Sequence, residues 1–102
     1  MIARMWKARA TKQGAGAYAR HFSDHVVPEL KRIAGYKRAV LLEELSAEQP
    51  ELIVISWWES EDAVRAFAGA DVGRAVVAEE AKRVLVSFDT DVRHYSVKVE
   101  TP

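Results

Sequence analysis

The chain has 102 residues, 15 basic and 15 acidic side chains, a formal net charge of zero, and no cysteine. That balance leaves no electrostatic footprint for nucleic acid or an anionic membrane, and the missing thiols exclude disulfides, cysteine nucleophiles and thiolate metal sites. The length suits a single domain, residues 1–102, and zero net charge offers little colloidal repulsion, which favours a chain that covers its surface by self-association.

Met1 to Lys12 carries Arg4, Lys7, Arg9 and Lys12 without the apolar core of a signal peptide. No apolar run approaches a bilayer span, so the expected setting is soluble and cytoplasmic. Ile2 to Arg9 alternates as a strand, with Ile2, Arg4, Trp6 and Ala8 on one face and Ala3, Met5, Lys7 and Arg9 on the other. Thr11 opens a helix in which Tyr18, Phe22, Val26, Leu30 and Ile33 recur at helical spacing as one buried stripe. Pro28 lies inside that stripe and is expected to kink it, because its ring meets the carbonyl one turn back. Gly35 is a C-terminal stop.

Tyr36 to Leu45 and Glu51 to Trp58 read as two strands of a hairpin closed by the polar connection Ser46 to Pro50. Ser60 then caps a helix to Ala68, with Glu61 and Asp62 at its positive end, Ala63, Val64 and Phe67 inward, and Gly69 as its terminator. Arg74 to Val84 is expected to be helical. Asp91 to Val99 reads as the last strand, with Val92, His94 and Ser96 on one face.

The order β-α-β-β-α-β is the split, ferredoxin-like α+β arrangement with an antiparallel sheet. Its helices cover one face only. The third strand nevertheless carries Leu52, Val54 and Trp58 on one side and Ile53, Ile55 and Trp57 on the other. An antiparallel sheet open to water alternates apolar with polar residues. The second face, with Trp57 at its centre, is therefore expected to pack on a second copy of the chain in a twofold homodimer.

Several stretches resemble the antibiotic biosynthesis monooxygenase family: Trp58-Glu59-Ser60-Glu61-Asp62 with Ala66-Phe67-Ala68-Gly69, Val27-Pro28-Glu29-Leu30 leading to Gly35-Tyr36, and Asp91 to Val97. The resemblance covers about Met1 to Val99 and implies a dimeric α+β barrel. It also implies a choice of activities, among them cofactor-independent oxygenation of aromatic polyketides, quinol oxygenation and haem degradation. The haem-degrading branch uses a first-strand asparagine, a tryptophan on the second helix and a histidine ten residues later. This chain has no asparagine, and it places Phe67 and Val77 at the other two positions. Haem degradation is disfavoured.

The expectation is thus a monooxygenase-like homodimer acting on a small aromatic or quinol-type ligand without metal, flavin or other cofactor. Its competitor is a homodimer that binds a small molecule, or only builds a scaffold, with no chemistry. Three histidines titrate near neutrality. His94 or His25 is the expected base, which would deprotonate a phenol and make it electron-rich toward O₂. A strand histidine that only bonds a neighbour is the plainer alternative for His94. His21 and His25 lie one turn apart with no third ligand nearby, too little for a metal site. His25 is expected at the border of the apolar stripe, beside Glu29, with His21 further toward solvent.

Arg4 shares a strand face with Trp6, so a charge there needs a partner: Glu29, a ligand carboxylate, the dimer mate, or water at the sheet's end. Arg4 is taken as the anchor, and Trp6, Phe22, Glu29, Trp58 and Phe67 as further ligand-contacting residues. The aromatic members of that set would serve equally well as filled core. An RNA-recognition module with the same strand order is rejected, since Glu51 to Trp58 lacks the glycine and basic charge of its aromatic signature.

Overall fold

A computed structural model describes all 102 residues, Met1–Pro102. The alternating first segment forms β1 (Ile2–Arg9), and Thr11 caps α1 (Lys12–His21) by accepting a hydrogen bond from the Gly14 amide at 2.9 Å. A π-helical turn (Phe22–Val26) leads into α2 (Val27–Lys31). Then follow β2 (Tyr36–Glu43), β3 (Glu51–Trp58), α3 (Glu61–Ala68), a short α4 (Glu79–Lys82), β4 (Ser87–Phe88) and β5 (Arg93–Ser96). The sheet runs β2-β3-β1, with β4 and β5 sharing the far edge of β1, and every pairing is antiparallel. This is the expected ferredoxin-like α+β fold.

Pro28 was expected to kink the helix, and the winding changes just before it. The turn before it widens, and the Val27 amide bonds back five residues to the Phe22 carbonyl. That spacing accommodates a proline that can neither donate to the helix nor sit close to the preceding turn. The extra residue also slows the rotation of side chains around the axis. As a result His21 turns inward and His25 is exposed, the reverse of the expected order.

Arg74 to Val84 was expected to be one helix, and only Glu79–Lys82 is helical. The Val72 and Arg74 carbonyls are taken by the Arg4 guanidinium, and the Ala75 amide bonds the Thr90 carbonyl at 2.9 Å. A helix there would need those backbone groups for itself. The last strand is also shorter than the Asp91 to Val99 expected, because Asp91 bridges Arg74 and only Arg93–Ser96 pairs with β1. Ser87–Phe88 pairs with Ala8 and Arg9, a two-residue strand with no periodic signal of its own. The second strand stops at Glu43, and Leu45 stands in solvent.

On the helix-facing side, two apolar clusters lie side by side. One gathers Trp6, Ala8, Ala15, Tyr18, Phe22 and Leu52. The other gathers Leu30, Trp58, Ala63 and Val64. Gly35, at φ 91°, lets the chain turn into β2 where a side chain would collide with Ala63. A bulge at Lys37 then places Tyr36 opposite Trp58 and Arg38 opposite Trp57. The uncovered face carries Ile53, Ile55, Trp57, Val40 and Met5, all partly buried, with Leu42 and Tyr95 exposed. The Arg38 guanidinium lies 4.2 Å from the Trp57 ring centroid on that face.

Candidate functional site

Between α1, the π turn and the sheet lies a cavity of about 100 Å³. β1 supplies Arg4 and Trp6 by strand alternation, and β3 supplies Val54 and Ser56 from directly opposite, since Trp6 pairs with Val54 and Arg4 with Ser56. Tyr18, His21 and Phe22 enter from the helix side, and Glu29 and Leu30 from beyond the π turn. Phe67 and the extended segment Val76-Val77-Ala78 complete the wall. Twelve of the sixteen lining residues are hydrophobic, which suits an apolar body with a few polar contacts. For scale, an apolar cavity of about 150 Å³ in another protein binds benzene, so this space is of the order of one aromatic ring.

The aromatic walls support one another. Trp6 and Tyr18 rings lie 5.7 Å apart, and Tyr18 and Phe22 rings 6.3 Å. The Trp6 indole N–H donates to the Asp89 carbonyl at 2.8 Å, which holds the ring as a wall. Tyr18 is 5% exposed, and burial pushes its hydroxyl up to about 12, so it stays neutral.

Arg4 is the one buried charge, at 5% exposure. Its Nη1 donates to the Val72 carbonyl at 2.7 Å and to His94 Nε2 at 2.9 Å, and its Nη2 donates to the Arg74 carbonyl at 3.0 Å. A guanidinium has only donors, so His94 Nε2 accepts and the His94 ring is neutral. The His94 pKa is lowered by burial and by the Arg4 charge, against a raising influence from Glu61. Burial lowers Arg4 itself to about 10. No carboxylate pairs with it, Glu29 included. The guanidinium also lies 5.5 Å from the Phe67 ring centroid.

Of the residues expected at the site, the structure gathers Arg4, Trp6, Phe22, Glu29 and Phe67 on one cavity. It sets three apart. Trp58 is completely buried behind the wall, stacked on Phe67 at 5.5 Å, edge-on to Tyr36, and donating its indole N–H to Ser56 at 2.8 Å. His94 lies behind Arg4 and borders a separate hollow of about 140 Å³ with Glu61 and Arg65. His25 sits on an outer groove and forms no ion pair with Glu29; its ring is 5.4 Å from that of His21. The sequence reading already had Tyr18 among the aromatics of a helix–sheet pocket and missed His21 and Ser56 as polar members of the wall. Tyr18, one turn before Phe22, carried a signal. His21 carried none, because its inward position depends on the π turn. No cluster of three acidic, cysteine or histidine side chains suited to a metal is present, and no helix is long and apolar enough to cross a membrane.

The family model for antibiotic biosynthesis monooxygenases matches residues 1–79. The chain belongs to that family. A Bacillus cereus protein proposed to be an antibiotic biosynthesis monooxygenase shares the fold at a TM-score of 0.70 and 16% identity, over 99% of this chain and 96% of its own. SnoaB, a cofactor-independent oxygenase from Streptomyces nogalater, superposes at 0.67 with 14% identity, over 99% and 97%. A mutant of MhuD with two manganese protoporphyrin IX bound per active site superposes at 0.65 with 18% identity, over 100% and 99%. At these identities the likeness is one of fold. No curated protein matches the chain by sequence.

Proposed function

We propose that this family member is a cofactor-independent monooxygenase that oxidises a small aromatic or quinol-type molecule in the cavity between helices and sheet. The carrying observation is the ring-sized apolar cavity walled by Trp6, Tyr18 and Phe22, with Arg4, His21 and Glu29 as polar groups on its boundary. Membership of a family whose fold also carries the cofactor-independent oxygenase SnoaB supports the reading. The substrate itself is the reductant. For a single-ring phenol, the ring C–H para to the hydroxyl becomes a carbonyl, so phenol and O₂ give quinone and water, one oxygen atom entering each product. Proton removal from the substrate is the step in which protein groups assist.

His21 and Glu29 can accept that proton directly, since both border the cavity. The roles expected of the other two histidines take an indirect form: His94 orients Arg4, and His25 relays protons behind His21. Trp58 supports Phe67 from behind in place of touching the ligand. Haem is a poor substrate for this chain, because Val77 has no ligating atom and the hollow holds about one ring. Oxygen uptake with a panel of single-ring phenols and hydroquinones tests the proposal, comparing the parent with His21→Ala, His25→Ala and His94→Ala. Turnover lowered at least tenfold by His21→Ala is the expected result. Turnover untouched by all three changes removes histidine from the chemistry.

A binder without catalysis is the second reading, favoured by the occupied lone pair of His94, the one histidine seated in the sheet. Saturable ligand binding with no oxygen uptake across the panel would establish it. In either case we propose that a second copy covers the face of Ile53, Ile55 and Trp57. Burying each of these side chains is worth roughly 1.5–3 kcal/mol. Trp57→Glu is expected to halve the mass seen in sedimentation.

A further inference from the structure

Two buried polar groups at the cavity have donors that the protein leaves unused. The three hydrogen bonds of Arg4 come from Nη1 and Nη2, and its Nε–H takes no partner from the chain. No hydrogen bond within the chain uses the Tyr18 hydroxyl either. Yet no buried polar side-chain atom is left stranded without a partner. Both atoms must therefore open onto free space, although both residues are 95% buried, and the cavity is the space both border.

The charge is equally unmatched. Burying a cation is costly unless something of opposite sign meets it, and Arg4 is held by two carbonyls and a neutral imidazole. Of the charged and titratable groups around it, His94 on β5 is neutral, Glu61 on α3 acts on His94, and Glu29 and His21 stand at the cavity boundary without pairing with it. A site with a guanidinium that no carboxylate pairs, a neutral phenol donor and apolar ring walls selects a particular ligand.

We infer that the cavity binds a single-ring aromatic acid or phenol as its anion, with the ligand oxyanion between Arg4 Nε–H and the Tyr18 hydroxyl. This deepens the reading of the cavity as a small-ring site and rests on it. The anion neutralises Arg4 without displacing it from the Val72 and Arg74 carbonyls. The ring lies among Trp6, Phe22 and Val54. The same contacts stabilise the electron-rich, deprotonated form of a phenol, the form that O₂ attacks. Carboxylate and phenolate share this chemistry, and separate probes distinguish them.

4-Nitrophenol reports its own ionisation by its yellow colour and is the probe for the phenolate arm. Bound to the parent protein, it is expected to ionise at a pH about one to three units below that of the free compound, as an opposite charge at close range dictates. Benzoate against benzyl alcohol is the carboxylate arm, with benzoate expected to bind at least tenfold more tightly. Tyr18→Phe keeps the ring and is expected to weaken phenolate binding about tenfold. Arg4→Gln is expected to abolish the lowered ionisation. Should that variant fail to fold, the parent and Tyr18→Phe measurements still decide.

A bound nitrophenol that ionises at or above the free pH, with benzoate no better than benzyl alcohol, overturns the oxyanion site. The same holds if neutral hydroquinones bind and both anions do not. Either result leaves the small-ring reading standing. Failure of every aromatic probe, charged or neutral, removes both.

Discussion

At one end of the helix–sheet layer, Trp58 is completely buried between Tyr36 and Phe67, closed in by Leu30, Ala63 and Val64. At the other end Trp6, on the same face of the neighbouring strand, stands beside Tyr18 and Phe22 around an open space of about 100 Å³. The residue types are nearly the same; what differs is the covering layer. α3 packs directly on Trp58 through Ala63 and Val64, small side chains that let the helix come close. Over Trp6, α1 covers one side through Tyr18, and beyond it the cover is the widened π turn and an extended segment held up by Arg4. A charge spent on pinning a loop leaves room that a packed helix would have filled.

The largest effect should fall at the filled end. Trp58→Ala is expected to cost about 3–5 kcal/mol in urea unfolding, because a fully enclosed side chain leaves a void that its neighbours cannot collapse into. A loss below about 1 kcal/mol would mean that the two ends are equally loose. Arg4→Gln is expected to cost about 1.5–3 kcal/mol, the scale of hydrogen bonds from a charged donor. Amide exchange should quicken at Ala75 and Val92, whose amides bond Thr90 and Gly73. Slow exchange at both would show that the loop is held without Arg4.

Val54→Leu, which pushes a methyl into the hollow end, is expected to change stability by less than about 1.5 kcal/mol while blocking ring ligands. A loss comparable to that of Trp58→Ala would mean that the cavity is already tightly filled.

The smallest effect concerns pH. The His94 pKa in the fold lies below its ordinary 6.5, so the unfolded chain binds more protons just below that value. The stability this residue contributes is therefore complete above about pH 6.5 and declines as pH falls toward the lowered folded value. His94→Gln should flatten that slope without altering stability at pH 8. An unchanged slope would show that His94 is not the neutral acceptor of the Arg4 bond.

The strands Ile2–Arg9 and Glu51–Trp58 fall where strict alternation of apolar residues put them, because a period of two has one reading on a sheet. The Ser60 cap and the Gly35 turn were legible for the same reason: each is a local requirement met by a local side chain. The stretch after Gly69 was not. Ala75 to Ala78, all alanine and valine, reads as the start of a helix, and it stays extended because Arg4, some seventy residues earlier in the chain, takes its neighbours' carbonyls.

The Trp57-Trp58 pair shows the division within two adjacent residues. Alternation alone sends the two rings to opposite faces. Whether Trp58 lines a cavity or fills a core depended on how near α3 could approach, a distance set by Ala63 and Val64 packing across the layer. Arg4 shows it again. Its place on the inner face was readable from the strand, along with its need of a partner. Which groups would answer that need was decided only when the fold brought Val72, Arg74 and His94 to it and left two of its five N–H groups without a partner in the chain. Alternation, caps and turns act between near neighbours and are written in their order; contacts between distant segments exist only once the chain has closed on itself.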